Sequence, residues 1–314
     1  MLKPLLFLPF LLFSLIGHSQ DYVDLFKFTY SNSPFNKEDS INGTARIQEF
    51  YVDLTLPIKI NEKTVFITGA TIEQLSVNTR PSGFNINSVL STTLKLGLNL
   101  KHSKKWAGTY MILPKIASDF NNAPRNIFQL GGLALYKYHK KPNLKYRIGL
   151  YYNSELFGPL FVPLLGVYYL SKNKKLEVNL TLPVWADINY RFTNWFASGI
   201  NFSAFVRSYY LSPSSTPANK EMYMVKASNE IYGYLQFTAK KSFIFQAKAG
   251  WSIGRRFSTY DIDEKIGWGL SAFKFNDNRT QKNRDISDGL IFQARFIYRF
   301  NIEPKDNSNE LGLK

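Results

Sequence analysis

Few residues in this 314-residue chain have types and spacings that could do chemistry. The segment YDIDEK holds three carboxylates, Asp261, Asp263 and Glu264, at a spacing that could ligate calcium in a loop. It lacks the glycine and the distal glutamate of an EF-hand, so a solvated charged loop is the stronger interpretation. His102 and Ser103 are adjacent, as if for a hydrolase, but neighbouring side chains on a strand or turn point apart, which favours a polar turn.

Other catalytic signatures are missing from the sequence. It has no serine nucleophile elbow, no HExxH pair and no phosphate-binding glycine loop. Because the chain has no cysteine, thiol catalysis, disulfides and cysteine-bound metals are excluded. We therefore predict a protein that is not an enzyme, with no catalytic residue, no cofactor and no metal site.

The N-terminus predicts export. The stretch MLKPLLFLPFLLFSLIGHSQ has one lysine, an apolar run from Leu5 to Ile16, and small residues before an expected cleavage site between Ser19 and Gln20. The run is shorter than the roughly 20 apolar residues of a membrane helix. We therefore interpret residues 1–19 as a cleaved signal peptide.

The dominant pattern in the rest of the chain is an alternation of apolar and polar residues, which predicts β-strands with one apolar face. In SVLSTTLKLGLNL, leucines from Leu90 to Leu100 share one face, while Lys95 and Asn99 share the other. The alternation recurs in LKYRIGLYY, VKASNEIYGYLQFTA and GLIFQARFIYRF. Short connectors such as KINEK and longer polar ones such as LSPSSTPANKE separate the segments, as in a meander of up-and-down hairpins.

Alternation alone does not decide which face is inside, because soluble β-proteins alternate too. A closed meander of about twelve or more strands encloses a lumen that apolar side chains cannot fill, so its apolar faces must turn outward to lipid. Aromatic residues make up 16% of the chain and cluster near segment ends, as in FKFTY and FIYRF, which is typical of interfacial girdles. We therefore predict an all-β fold: a transmembrane, up-and-down antiparallel β-barrel of about 12 to 14 strands. A soluble exported β-protein is the alternative.

Some segments are harder to interpret. The weakest strand candidates are IGWGLSAFKF near Gly267, which could be a hairpin arm within a loop, and DINYRF near Asn189. The uncharged stretch LFGPLFVPLLGVYYL contains Pro159 and Pro163, so we predict a loop followed by a strand from about Leu164.

The tetrapeptide LTLP occurs twice and ends at Pro57 and at Pro183. A strand tolerates proline where it leaves the ladder. Each copy therefore predicts a strand that approaches a membrane edge.

Three stretches carry a family resemblance: LLGVYYLSKNKKLEVNLTLPVWADINYRF, GRRFSTYDIDEK and GLIFQARFIYRF. They resemble outer-membrane β-barrel families of unknown function that are common in Bacteroidota, and so does the Ser19/Gln20 cleavage site. The resemblance implies a barrel in the outer membrane of a Gram-negative bacterium and transfers no catalytic or binding residue. We divide the chain accordingly into a signal peptide (1–19), the barrel (20–302) and a polar C-terminal tail (303–314).

The net charge of +16 bears on the partners. In an exported protein it favours anionic lipid and lipopolysaccharide phosphates over nucleic acid. The expected partners are therefore outer-membrane lipid, lipopolysaccharide and, for insertion, the barrel-assembly machinery.

The polar strand faces would line the lumen, where positive charge exceeds negative charge. The residues predicted to point inward are Lys95, Lys145, Arg147, Lys226, Lys248, Arg295 and Arg299, with Asp53, Glu177 and Glu230. A wet lumen of this kind would favour anionic solutes, whereas pairing across strands would fill the lumen without conduction. The leading hypothesis is a passive pore or uptake component for small, in particular anionic, solutes. The alternatives are a structural or adhesive barrel whose long loops bind a partner, and a lipid-modifying barrel enzyme.

Overall fold

The computed structural model describes residues 22–38, 43–80, 86–122, 127–217 and 219–301. The predicted signal peptide, its cleavage site and the C-terminal tail lie outside these ranges. The strands are β1 (Tyr22–Glu38), β2 (Gly43–Lys59), β3 (Thr64–Arg80), β4 (Ile86–Lys101), β5 (Trp106–Ser118), β6 (Phe128–Lys141), β7 (Leu144–Glu155), β8 (Gly158–Leu170), β9 (Leu176–Leu182), β10 (Trp185–Arg191), β11 (Phe196–Leu211), β12 (Met222–Ala239), β13 (Phe243–Asp261), β14 (Trp268–Leu270), β15 (Phe273–Phe275) and β16 (Leu290–Asn301). In this part of the chain no helix is long and apolar enough to cross a membrane.

The strands of the described residues form one sheet, and all except the small β14–β15 hairpin close into an antiparallel barrel of fourteen strands. Each of β1 to β13 pairs with its neighbour in sequence, β13 pairs with β16, and β16 pairs with β1. The predicted up-and-down barrel of 12 to 14 strands is confirmed. Because Tyr22 and Asn301 are register partners, both barrel ends lie at the same rim. We call it the terminal rim, and the opposite one the loop rim.

The outer face of the barrel is apolar and exposed. On β4, alternation turns Leu94, Leu96 and Leu98 outward, where they are 49%, 41% and 38% exposed. Other strands present the same kind of exposed side chain: Leu54, Leu56, Ile112, Ile148, Leu150, Ile200 and Leu235. Such a continuous apolar band is stable against lipid and would aggregate in water. The barrel therefore spans a membrane.

Aromatic pairs edge the band near the terminal rim. The rings of Trp106 and Tyr138 lie 4.9 Å apart, and those of Phe243 and Tyr298 lie 5.3 Å apart. Aromatic side chains with a polar end favour the head-group zone of a bilayer. These pairs therefore mark one membrane interface.

The β9–β10 hairpin is too short to complete the wall. Each of its strands has 7 residues, whereas the flanking β8 and β11 have 13 and 16. Its turn at Pro183 and Val184 lies at the height of Leu165 on β8 and Ser203 on β11. Above this turn β8 and β11 have lost their partners β9 and β10. The β14–β15 hairpin lies beside β8 at Leu160 and Phe161, so the gap that we call the notch is the stretch between that pairing and the turn. The prediction that Pro183 marks an approach to the membrane edge is wrong, because the turn lies halfway up the wall.

Two strand predictions need correction or completion. Strand β8 begins at Gly158, not near Leu164, and includes Pro159 and Pro163. Both prolines precede Leu165, the residue at which the pairing with β9 begins, so their missing N–H groups remove no ladder bond to β9. The segment near Gly267 forms the β14–β15 hairpin inside a long loop, with β14 parallel to β8. The segment DINYRF belongs to β10, which is part of the barrel.

Beside the notch, the loop-rim ends of β11 and β12 fold into the lumen. We call this segment, residues 204–211 and 222–229, the plug. The end of β13, from Ile253 to Asp261, stays paired with the β12 part of the plug. Near its end, Tyr210 bridges Ser118 on β5, a strand that is not a barrel neighbour of β11. The plug thus crosses the barrel interior instead of continuing the wall.

Both faces of the plug are buried against the wall. One face contributes Tyr209, Leu211, Met222 and Met224 to an apolar cluster with inward residues of β2 to β5: Ala45, Ile47, Leu75, Val77, Val89 and Ala117. The other face contributes Tyr223 and Val225 to a second cluster with Phe157, Leu160, Val162 and Leu164. The expectation that apolar side chains cannot fill the lumen is therefore wrong for the loop-rim half, because the barrel's own strands fill it.

Candidate functional site

A buried charge cluster around Glu73 of β3 fastens the plug to the wall. Glu73 is 3% exposed. It accepts a hydrogen bond from Tyr209 Oη at 2.9 Å and contacts the ammonium of Lys226 at 3.0 Å and the guanidinium of Arg207. Lys226 also lies 2.5 Å from Glu49 of β2. All three partners of Glu73 belong to the plug, so this buried carboxylate holds the plug against β3.

A second contact joins the plug to the far side of the notch. The backbone N and hydroxyl of Ser208 donate to Glu155 Oε2 at 2.8 and 2.5 Å. The other oxygen of Glu155 lies 2.9 Å from Lys115 Nζ. Glu155 ends β7, so its contacts tie the plug to the wall across the notch.

A third contact lies outside the membrane-spanning strands, in the loop that follows β5. Asp119 Oδ2 accepts hydrogen bonds from the backbone N and hydroxyl of Ser212, both at 2.7 Å. Although partial burial alone would raise it, the pKa of Asp119 is held below its usual value by hydrogen bonds from Ser215 and Ser212. The carboxylate is therefore ionised at neutral pH and holds the end of the plug.

The long loop before β16 covers the second apolar cluster. The guanidinium of Arg279 pairs with both oxygens of Asp277, at 2.7 and 2.8 Å, and lies 4.2 Å from the ring centroid of Tyr260 and 5.5 Å from that of Phe157. It also donates to Tyr223 Oη at 3.3 Å. One loop arginine thus contacts both the plug and the turn that begins β8.

The carboxylates of YDIDEK lie in this region as well. Lys282 Nζ is 2.9 Å from Asp261 and 3.7 Å from Glu264. Within the described ranges, no group of His, Asp and Glu side chains is placed to hold a metal ion. Asp261 and Glu264 thus hold a lysine of the long loop at the end of β13.

His102 and Ser103 have separate contacts in the turn between β4 and β5. His102 Nε2 lies 3.1 Å from Tyr110 Oη, and Ser103 Oγ accepts from the backbone N of Trp106 at 3.1 Å. Neither contact joins the histidine to the serine, so the polar-turn interpretation describes this geometry.

The structure places the charged residues of the predicted lumen on the inner wall, where some of the cations meet carboxylates. Lys95 lies 2.6 Å from Asp53, in addition to the contacts of Lys226 given above. Arg299 lies 2.6 Å from Asp24. For these cations the structure agrees with the alternative in which lumen charges pair with each other across strands.

Two predicted carboxylates accept hydrogen bonds from tyrosines. Tyr22 Oη donates to Glu177 at 2.6 Å, across the lumen from β1 to β9. Tyr232 Oη donates to Glu230 at 2.7 Å. Both carboxylates are therefore held by hydrogen bonds from tyrosines inside the lumen.

Other predicted cations have neutral partners. Arg147 donates to Asn179 and Thr181 at 2.6 and 3.1 Å, Lys248 donates to Asn201 at 3.0 Å, and Arg295 donates to Thr29 and Gln293 at 3.2 and 3.1 Å. In the part of the chain that the structure describes, none of these three cations forms an ion pair. The Lys145 ammonium lies 4.9 Å from the ring centroid of Tyr168. The terminal-rim half of the lumen thus keeps excess positive charge.

Sequence reasoning missed Lys137, which lies opposite Arg147 on β6. Strand β6 has apolar residues on both faces, because Leu133 and Leu135 point inward. The alternation of its sequence therefore does not show that Lys137 points into the lumen. It also missed Glu73 and Glu155, because their role depends on the plug, which has no sequence signature.

A cavity of about 270 Å³ opens at the terminal rim, between the β4–β5 and β6–β7 turns. Lys101, Lys137 and His139 line it, together with lysines of both turns. The lumen therefore begins, at this rim, in a basic vestibule.

The chain is similar to several solved structures. An outer-membrane channel from Pseudomonas putida F1 is 8% identical, with a TM-score of 0.44, over 88% of this chain and 93% of that chain. The NanC porin is 8% identical, with a TM-score of 0.34, over 87% and 98%. OprB of Pseudomonas putida is 7% identical, with a TM-score of 0.34, over 89% and 92%. No curated protein matches the chain in sequence.

A family profile matches residues 16–266, which is most of the chain and includes β1 to β13. The expected membership in a barrel family of unknown function is confirmed. This chain belongs to the family DUF6268, a domain of unknown function.

Proposed function

We propose that the protein is an outer-membrane uptake channel for small solutes, that its terminal-rim lumen favours anions, and that the plug closes it at rest. The observation that carries the proposal is the set of inner-wall cations without ion pairs, namely Arg147, Lys248 and Arg295. Lys248 and Arg295 are also attracted by the nearby carboxylate of Asp187, but positive charge remains in excess. An excess of one charge along a wet pore attracts the opposite ion. The basic vestibule at the terminal rim extends this field to the solvent.

The plug gives the channel a closed state. Its two apolar faces fill the loop-rim half of the lumen, and its anchors at Glu73, Glu155 and Asp119 are polar contacts that can break and re-form. Passage of a solute therefore requires the plug to move. Barrels of this kind place short turns in the periplasm and longer loops outside, so the plug closes the cell-surface side.

The same proposal covers the location and the partners. The exposed apolar band requires lipid, and a β-barrel is the form in which strands cross a membrane. We place the protein in the outer membrane of a Gram-negative bacterium after signal cleavage between Ser19 and Gln20. Its partners there are outer-membrane lipid, lipopolysaccharide and the barrel-assembly machinery.

Ion selectivity of the refolded protein in planar bilayers tests the channel. Under a KCl gradient we expect intermittent openings with a reversal potential that shows preference for chloride. The triple variant Arg147→Gln, Lys248→Gln, Arg295→Gln removes the unpaired inner-wall cations, so its reversal potential is expected to shift toward that of an unselective pore. Lys172→Gln, in the exposed β8–β9 turn, is the matched control for a charge outside the lumen. A silent protein, or a triple variant with unchanged selectivity, would contradict the proposal.

A further inference from the structure

We propose that the inner wall beside the notch binds a small amphipathic anion, with its charged group at Lys137 and Arg147 and its apolar part against Leu135 and Leu164. The inference rests on the proposed function, because it names the substrate class of the same lumen. Three features of the wall carry it: an unneutralised cation pair, an apolar surface directly above that pair, and a gap in the wall beside both.

The cation pair lacks a counter-charge. Lys137 of β6 and Arg147 of β7 are direct register partners on the inner wall. Like charges directly opposite each other destabilise an antiparallel pair. Neither side chain forms an ion pair with any other described residue, and the buried Nε of Arg147 has no hydrogen-bond partner. A bound anion would neutralise the pair and accept the unused Nε–H, and such charge-assisted bonds are strong.

The wall becomes apolar one position closer to the loop rim. The next inward residue on β6 is Leu135, which faces Gly149 on β7, and Gly149 in turn faces Leu164 on β8. Leu164 is buried in the second apolar cluster, and Leu135 packs against that cluster. Leu164 is 4% exposed because plug residues share this cluster. An anion bound at Lys137 and Arg147 would therefore place a short apolar extension on this surface when the plug moves away from it.

The notch gives the site a route to the membrane. Arg147 donates to Thr181, which lies next to Leu182 at the tip of the short hairpin. In the turn that forms this tip, Val184 packs against the cluster that contains Leu164. A molecule that entered from lipid through the notch would thus pass apolar side chains before it met the arginine. This order of surfaces suits an apolar body with one charged end, and it suits neither a sugar nor an inorganic ion.

Equilibrium dialysis of the refolded full barrel against radiolabelled octanoate tests the site, with a chamber of detergent alone to correct for partitioning. Octanoate is expected to bind more tightly than acetate, which has the charge without the apolar part. The double variant Lys137→Gln, Arg147→Gln is expected to bind octanoate about tenfold more weakly, as for the loss of a charge-assisted hydrogen bond. Lys172→Gln is expected to bind like the wild type.

The double variant also loses the hydrogen bonds of Arg147 to Asn179 and Thr181, so the single variant Lys137→Gln is the control for folding. It removes the repulsion and keeps those bonds, so it should be at least as stable as the wild type to urea and still bind octanoate more weakly. Unchanged octanoate affinity in the double variant would overturn the cation assignment, and equal affinity for acetate and octanoate would overturn the apolar one. A protein that conducts chloride but does not bind octanoate would overturn only this inference. A protein that binds octanoate but stays silent in bilayers would leave the site standing and contradict the channel.

Discussion

Replacing Glu73 by glutamine is expected to lower the free energy of unfolding by about 3 kcal/mol, near the lower end of the range for breaking a buried ion pair. Glu73 is buried and meets Lys226, Arg207 and Tyr209. Glutamine keeps the shape but removes the charge, so Lys226 loses one of its carboxylate partners and keeps its contact with Glu49. Arg207 loses the carboxylate that it contacts. Urea unfolding of the refolded barrel in detergent micelles, followed by tryptophan fluorescence, measures the loss.

The same variant is expected to open more often in planar bilayers, because all three partners of Glu73 lie on the plug. Glu62→Gln is the matched control: Glu62 pairs with Lys59 at 2.6 Å in a turn at the terminal rim, and its side chain is 69% exposed. An exposed pair of this kind contributes less than about 1 kcal/mol. If both variants lost the same stability, or if Glu73→Gln opened no more often than the wild type, the charge cluster would not be what holds the plug.

Shortening the plug is expected to produce a persistently conducting barrel. Phe205 and Ser228 are register partners on β11 and β12, so residues 206–227 can be replaced by an Asn-Gly turn that closes the remaining hairpin. The deletion removes Tyr209, Met222 and Met224 from the first apolar cluster, whereas Phe257 and Ile286 of that cluster remain. It thereby takes the plug out of the loop-rim half of the lumen. Single-channel recording should show a conductance several times that of the wild-type openings, with longer open times.

The deletion leaves inner-wall apolar residues such as Leu75 and Val89 facing water, so its folding needs a separate check. Heat-modifiable migration in gels reports whether the barrel has closed. The double substitution Tyr209→Ser, Met224→Ser keeps the chain length and weakens the same packing, and it should shift the channel in the same direction. A folded deletion variant with wild-type conductance would show that the plug does not obstruct the lumen.

The outer wall could be predicted from the sequence because lipid imposes one apolar face on each strand. The alternation around Lys95 gives the strand, its inward face and the nature of its outer surface. The same reasoning placed Lys226 on a polar face, and its buried contacts with Glu49 and Glu73 lie on the inner wall. Alternation gives the face of a residue but neither its height nor its partner across the lumen.

The plug could not be predicted, because both of its faces are buried in the barrel's own interior. Val225 and Tyr223 would face lipid if β12 continued the wall, and their alternation is that of an ordinary membrane strand. The plug leaves the wall beside the short β9–β10 hairpin, which is another part of the chain. The prolines at 159 and 163 were the local sign of an unpaired edge, but proline also marks loops, so the start of β8 was placed too late.

A reversible covalent lock tests most directly whether movement of the plug opens the channel. Ser118 and Tyr210 are bridge partners between β5 and the plug, so Ser118→Cys with Tyr210→Cys places two thiols on strands about 4.8 Å apart, within reach of a disulfide. The wild-type chain has no cysteine, so no competing disulfide can form. In a single reconstituted barrel at constant voltage, we predict no openings while the disulfide is intact and wild-type openings after a reductant is added. Equal conductance before and after reduction would contradict the account.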